Sequence, residues 1–152
     1  MESKELMIGD WVYSSFADVP CKVISIDTII NGFTSVQVSN VAWKKDIVSL
    51  SPIPLTPEIL EKNGFEINRG FASSERHLRY SWEYYNRKEG DYGFIDVIFY
   101  EKPFKIRRVV KIENKSSKGL GFNSVQNCDI DYVHQLQHAI RLCGIKKEII
   151  VP

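Results

Sequence analysis

Cysteine is scarce in this chain: Cys21, Cys128 and Cys143 are the three cysteines among 152 residues. They are an odd number, they form no CxxC pair, and they lie far apart in sequence. Disulfide frameworks and structural zinc sites use closely spaced, usually even-numbered cysteines, whereas a scattered set is typical of reduced thiols. The pattern therefore predicts a cytoplasmic protein without a disulfide frame or a zinc ribbon.

The sequence also lacks long hydrophobic runs and a strong charge of either sign. No apolar stretch approaches the roughly 20 residues that a membrane-spanning helix needs, and the formal net charge is +1. Hydrophobic residues make up 43% of the chain and aromatic residues 12%, which is enough for a folded interior. We therefore expect a globular protein with no membrane partner and no overall electrostatic attraction to nucleic acid.

Familiar catalytic and cofactor-binding motifs are missing too. The sequence contains no GxSxG, no GxxxxGK[ST] and no GxGxxG, and it has three histidines in all. We assign no catalytic residue, no cofactor and no physiological metal site from the sequence. An enzyme whose site assembles from residues distant in sequence stays open as an alternative, because such a site leaves no motif.

Short stretches of alternating apolar residues fill the first fifty positions. They cover residues 6–15, 20–30, 33–41 and 43–50. The second and third are joined by Asn31 and Gly32, which suit a type I′ hairpin turn because both tolerate positive φ. Several short strands of this kind curl up to bury a common face. The pattern predicts an SH3-like half-barrel over residues 1–51.

A proline-rich connector and a short helix follow over residues 52–65. Each proline in "SPIPLTP" keeps the residue before it extended, and Thr56 then serves as the cap of a helix that has Pro57 at its first position. Gly64 is placed to end that helix. The same prolines would suit a polyproline ligand, but a connector that leads into a capped helix explains all of them.

The rest of the chain, residues 66–152, predicts an antiparallel β meander covered by one C-terminal helix. Alternating stretches occupy residues 77–85, 94–101 and 104–113, with turn-like sequences between them. A helix is expected over residues 130–143, capped by Asp129 or Asp131 and ended by Gly144, with a short last strand after it. The predicted fold class is α+β, mostly β, and we expect the whole chain to fold as one unit.

The predicted C-terminal helix contains two histidines four residues apart, His134 and His138. This is the spacing of the HExxH metalloproteases, in which two histidines bind zinc and the intervening glutamate is the general base. Here the glutamate position is Gln135, which cannot act as a base, and no third ligand is evident. Helical periodicity also directs both histidines away from the apolar stripe. We therefore expect a structural helix whose histidines lie on the surface and form at most an adventitious metal pair.

Charge is unevenly distributed along the chain. Between residues 102 and 118 there are seven lysines and arginines and one acid, Glu113. Three of the basic residues, Lys105, Arg107 and Lys111, alternate along one expected strand and are candidates for a stripe that binds phosphates. The alternative is a solvated or edge-protecting strand face, for which lysines are common.

Two segments resemble a set of small uncharacterised proteins of bacterial phages and mobile elements. They are "DIVSLSPIPLTPEILEKNGF" at residues 46–65 and "YVHQLQHAIRLCGI" at residues 132–145, and members of the set also share a "GDWV"-like opening, found here at residues 9–12. The resemblance covers about a third of the chain and leaves residues 69–126 unmatched. It implies a phage or mobile-element context but no activity, so no catalytic residue is carried over.

Two kinds of function remain. The first, which we favour, is a non-enzymatic interaction module that binds a protein partner, with weak non-specific nucleic-acid binding through residues 102–118 as its alternative. Small SH3-like barrels commonly serve as binding platforms, although a fold does not specify a function. The second is an enzyme with a dispersed site. A deep polar pocket would favour the enzyme, and a surface patch of basic or aromatic residues would favour the module.

Overall fold

The computed structural model describes residues 5–15, 18–28, 34–39, 45–46, 50–68, 71–72, 75–86, 91–102, 105–115 and 122–151. Only the backbone is described at residues 28, 34, 45–46, 68, 71–72, 75–77, 86 and 91, and at residues 101–102, 105–115 and 122–127 apart from Ile112 and Ser124. The described chain is mostly β, with antiparallel sheets and a helix near the C-terminus, which confirms the predicted fold class.

The chain divides into two compact units. The first comprises Met1–Pro54, Tyr132–His134 and Ile150–Pro152, and the second comprises Leu55–Asp131 and Gln135–Ile149. The expected boundaries after residues 51 and 65, and folding of the whole chain as one unit, stay predictions.

The first unit contains a five-stranded antiparallel sheet in the order β4-β3-β2-β1-β5. Its strands are β1 (Trp11–Ser14), β2 (Val19–Thr28), β3 (Thr34–Val38), β4 (Lys45–Asp46) and β5 (Leu50–Pro52). The stretch expected to be one strand at residues 43–50 contributes to two short strands instead. The described strands do not close into a barrel, because β4 and β5 end the sheet on opposite sides. The expected Asn31-Gly32 turn lies outside the described residues.

A buried apolar cluster forms one face of this sheet. Its members come from β1, β2, β3, β5 and the segment before β1, and they are Leu6, Val12, Cys21, Val23, Val36, Val38 and Leu50. Alternation places their neighbours on the other face, as expected for a half-buried strand.

The short helix α1 (Pro57–Lys62) forms as its sequence predicts. The Thr56 hydroxyl accepts a hydrogen bond from the backbone N–H of Ile59 at 3.4 Å, and Pro57 lies in the first turn, where its missing N–H costs nothing. Gly64 has a φ of +76°, the left-handed conformation that terminates helices. Caps and breakers act locally, which is why the sequence alone predicts this helix.

The second unit contains a six-stranded antiparallel sheet. Its main path is β11-β10-β9-β8-β6, and β7 pairs with β8 beside that path. The strands are β6 (Glu66–Asn68), β7 (Phe71–Ala72), β8 (Glu75–Asn86), β9 (Asp91–Lys102), β10 (Lys105–Lys115) and β11 (Phe122–Asp129). The predicted meander corresponds to β8, β9 and β10. Strands β6, β7 and β11 were not predicted.

The C-terminal helix α2 (Val133–Leu142) ends in a Schellman motif. Ile145 donates its N–H to the Ile140 carbonyl at 3.2 Å, and Gly144, with a φ of +72°, donates to the Arg141 carbonyl at 2.9 Å. This confirms the predicted terminator. The short last strand expected after the helix does not form within residues 145–151. Ile145, Ile149 and Val151 of that segment are buried, although none of them belongs to a described strand.

Candidate functional site

The second sheet has two chemically different faces. Strands β8 and β9 pair over ten residues, and this register shows which side chains share a face. Residues directly opposite each other share a face. One face is the core: Tyr80 lies opposite Val97, and the ring of Tyr80 packs edge-on against Phe99 with centroids 5.5 Å apart. Tyr80, Val97 and Phe99 are all buried. Alternation along β8 therefore places Arg79, Ser81 and Glu83 on the opposite face.

The opposite face is rich in aromatic residues, and we call it the aromatic face. Its members on β8 and β9 are Arg79, Ser81, Glu83, Tyr85, Tyr92, Phe94, Asp96, Ile98 and Tyr100. Tyr85 is 63% exposed, and the other aromatic rings are half-buried. The rings of Tyr92 and Phe94 lie 6.1 Å apart. A purely solvated sheet face carries mainly polar residues, so this composition is unusual for an outer face.

A buried carboxylate lies at the centre of the aromatic face. Asp96 is 2% exposed, and its Oδ1 accepts a hydrogen bond from the Ser81 hydroxyl at 2.7 Å. Its Oδ2 forms an ion pair with the guanidinium of Arg79. That contact raises the pKa of Arg79 above its ordinary value, because the carboxylate stabilises the cation. The Arg79 side chain is 43% exposed, so Asp96 and Ser81 orient a guanidinium that still reaches solvent.

The basic strand β10 runs beside the aromatic strand β9. Backbone pairing sets Arg107 opposite Tyr100 and Lys111 opposite Asp96. A bulge interrupts the pairing of β10 with β11 at Lys111, and bulges are frequent next to functional sites. The side chains of Lys105, Arg107 and Lys111 lie outside the described part of the chain. Their role as a phosphate-binding stripe stays a prediction.

The histidine pair on α2 does not lie on the surface as expected. His134 is 3% exposed and its ring stacks on that of Tyr132, with centroids 5.8 Å apart and planes 9° from parallel. His138 is half-buried. The prediction of two surface histidines was wrong for His134. At the start of α2, burial extends beyond the apolar stripe to the side of the helix that carries His134. Gln137 is buried there as well.

The described residues contain no group of three or more His, Cys, Asp or Glu side chains placed to hold a metal ion. Gln135, which stands at the position of the metalloprotease glutamate, has a local structural contact. Its side-chain carbonyl accepts a hydrogen bond from the backbone N–H of Asp131 at 2.8 Å. Asp129, one of the two expected caps, instead ends β11.

A second exposed patch lies on the first unit, and sequence reasoning missed it. Residues 7–10 form a turn in which the Asp10 N–H bonds the Met7 carbonyl at 3.1 Å, and Gly9 has a φ of +88°. The turn exposes Ile8 at 65% and Met7 at 48%. Ile24, at a bulge of β2, is 49% exposed. The turn is linked to that bulge because the Gly9 N–H bonds the Val23 carbonyl at 2.7 Å.

Within the described residues, no helix is both long and apolar enough to cross a membrane. No protein-family model, no curated protein and no solved structure matches the chain.

Proposed function

We propose that this protein is a non-enzymatic interaction module that binds a protein partner through the aromatic face of its second sheet. The observation that carries the proposal is the set of exposed and half-buried aromatic rings that shares a sheet face with the oriented guanidinium of Arg79. Tyrosine and arginine are the residue types that most often dominate binding energy at protein interfaces. Tyr85 supplies a large exposed ring, and Tyr92, Phe94 and Tyr100 are half-buried and hence partly ordered by their neighbours.

Rigidity of the face favours binding as well. Ten consecutive residue pairs join β8 to β9, and eleven join β9 to β10. Side chains on such a ladder lose less conformational entropy on binding than side chains on a mobile loop. The Asp96–Arg79 contact reduces this cost further, because the guanidinium is oriented before a partner arrives.

A second candidate function, weak binding of nucleic acid without sequence preference, is favoured by the position of β10. Single-stranded nucleic acids bind where aromatic side chains that stack on bases lie beside cations that contact phosphates. The pairing of Arg107 with Tyr100 and of Lys111 with Asp96 brings the basic strand next to the aromatic strand. The residues of this candidate interface are Lys105, Arg107 and Lys111, with Tyr100 and Tyr92 as stacking residues.

The proposed phage or mobile-element context rests on the two resembling segments, and in the structure these segments pair with each other. The Leu55 N–H donates to the Asp131 carbonyl at 2.9 Å, and the Val133 N–H donates to the Ile53 carbonyl at 2.9 Å. Pro54 and Tyr132 form the bridge between these two bonds. Both segments therefore belong to one structural feature. For the first unit we propose an SH3-like half-barrel, and the return of the chain in β5 to pair with the first strand, β1, supports this.

The experiment that tests the protein-partner proposal is an affinity capture from host or infected-cell lysate with and without nuclease. The variant is Tyr85→Ser, and the matched control is Ile24→Ser, an exposed apolar residue on the first unit. We expect a specific protein to be retained by the wild type and by Ile24→Ser after nuclease treatment, and to be lost with Tyr85→Ser. Equal retention by all three proteins would contradict the assignment of the aromatic face.

The nucleic-acid candidate is tested with purified protein and mixed-sequence single-stranded DNA and RNA. Three phosphate contacts predict that log affinity falls with log salt concentration at a slope of about −2 to −3. Replacing Lys105, Arg107 and Lys111 together by glutamine is expected to flatten this slope. If no binding is measured even at low salt, the basic strand is a solvated part of the sheet and the nucleic-acid candidate fails.

A further inference from the structure

The aromatic face carries negative charge along one side. Glu83 lies on this face two residues before Tyr85, and Glu66 joins it from β6 because Glu66 pairs directly with Ser81. Both carboxylates are exposed. The two glutamates are diagonal neighbours across β6 and β8, a relation in which Cα atoms lie about 7–8 Å apart. We call Glu66 and Glu83 the acidic edge.

The acidic edge has no basic partner in the part of the chain that the structure describes. Neither Glu66 nor Glu83 forms a hydrogen bond or an ion pair there. Arg79 shares the face, and Glu83 adds to the increase in the pKa of Arg79 after the larger effect of Asp96. The guanidinium of Arg79, however, forms its ion pair with Asp96. Three acids and one base therefore leave the described side chains of β6, β8 and β9 on this face with a charge of −2.

The basic strand β10 is a separate part of the same sheet. It pairs with β9, whereas the acidic edge lies on β8 and β6, on the other side of β9. Neighbouring strands are about 4.8 Å apart, so the backbones of β8 and β10 are separated by about 10 Å. A partner that covers the aromatic face therefore meets acidic side chains over β6 and β8.

An exposed aromatic ring lies next to these acids. Tyr85 follows Glu83 on the same face and is 63% exposed. Two carboxylates this close repel each other in the free protein, and a cation bound between them would remove that repulsion. A guanidinium is suited to both features, because its N–H groups bind carboxylates and its flat surface stacks on aromatic rings. An ammonium group is attracted to the ring as well.

We propose that the partner binds the aromatic face with a basic peptide segment, in which an arginine or lysine lies between Glu66 and Glu83 and against the ring of Tyr85. This inference rests on the proposed function and adds the charge of the partner to it. The ring supplies contact area, and the acidic edge selects the sign of the charge. A segment with an acidic side chain at the same place is disfavoured, because like charges across an interface are costly.

The charge preference is measured with two probe peptides, acetylated and amidated Arg-Ser-Arg-Ser-Arg and its counterpart Glu-Ser-Glu-Ser-Glu. The full-length protein is titrated with each peptide at constant ionic strength, and binding is followed by amide chemical shifts. We expect the arginine peptide to give saturable shifts at residues 66 and 83–85 that weaken at higher salt, and the glutamate peptide to give none. Shifts that do not saturate, or that both peptides produce equally, would overturn the inference.

Matched variants show whether the acidic edge is the binding site. Glu66→Gln and Glu83→Gln each remove one exposed charge and are each expected to weaken binding of the arginine peptide about twofold to fivefold, as loss of an exposed ion pair does. Glu61→Gln removes an exposed charge from α1, outside the aromatic face, and is expected to leave the constant unchanged. An equal effect of all three variants would also overturn the inference.

The affinity capture separates this inference from the proposed function. The double variant Glu66→Gln, Glu83→Gln is compared with Tyr85→Ser. Loss of the captured protein with both is the expected result. A protein that is lost with Tyr85→Ser but fully retained by the double variant would leave the aromatic face as the interface and refute its preference for a basic segment. Full retention by Tyr85→Ser would refute the proposed function, and the inference with it.

Discussion

The side-chain carbonyl of Gln135 accepts a hydrogen bond from the backbone N–H of Asp131 at 2.8 Å, across the start of α2. A helix start is stabilised when a side chain three residues into the helix reaches back to a backbone N–H just before the first turn, as in the capping box. In the HExxH metalloproteases the corresponding residue is the general base. In this chain the same position stabilises the start of the helix.

Loss of this cap is expected to destabilise the protein measurably. Gln135→Ala should lower the free energy of unfolding by about 0.5–2 kcal/mol, as for other lost helix caps. Gln135→Glu keeps an acceptor oxygen at the same place and should preserve most of the stability. Urea denaturation of the three proteins measures both effects. If Gln135→Ala and Gln135→Glu were equally destabilising, the hydrogen bond from Asp131 would not be what stabilises the start of the helix.

Two leucines on α2 provide a matched test of its buried face. Leu136 is fully buried and Leu142 is 77% exposed. Leu136→Ala should cost about 2–5 kcal/mol, because a buried leucine loses its transfer free energy and leaves a cavity. Leu142→Ala should change stability by less than about 0.5 kcal/mol. Similar midpoints of chemical denaturation for the two variants would show that the buried face has been assigned incorrectly.

The two histidines of α2 are expected to differ in the same way. His134 is buried against Tyr132, so His134→Ala should cost about 1–3 kcal/mol, whereas His138→Ala should stay within about 0.5 kcal/mol. Stoichiometric zinc should leave the melting temperature of the wild type unchanged. A large zinc-dependent increase that either histidine substitution abolishes would restore the metal interpretation.

Gly93 is kept free of a side chain by the tyrosine opposite it. The two residues pair across β8 and β9, and a Cβ at Gly93 would overlap Cε1 of the Tyr84 ring and lie 3.0 Å from its Cδ1. Gly93→Ala should therefore cost about 1–3 kcal/mol, as overpacking does. In a Tyr84→Ala background the same change should cost much less, and a double-mutant cycle measures the difference. Additive effects would mean that the ring does not restrict this position.

Sequence reasoning predicted the parts of this fold whose signals are local. Thr56, Pro57 and Gly64 specify α1 through capping and backbone conformation alone, and the alternation around Tyr80 specifies the core face of β8. The sequence of β11 is mostly polar on both faces, so its strand conformation depends on the ladder with β10 and cannot be read from its own residues. Burial of His134 likewise depends on what packs against the start of α2.

The candidate site was only partly predictable for the same reason. The basic residues of β10 are close together in sequence and were found directly. The aromatic face is not visible in any single segment, because Tyr85, Tyr92 and Tyr100 join Arg79 on one surface only when the register of β8 and β9 is known.

The most direct test of the central claim asks which surface touches a bound partner. A photoreactive benzophenone amino acid is placed either at Tyr85 on the aromatic face or at Ile24 on the first unit, both of which are exposed. After capture from lysate and nuclease treatment, we predict an ultraviolet-dependent crosslink to one protein species from position 85 and none from position 24. Crosslinking from position 24 but not from position 85 would contradict the account.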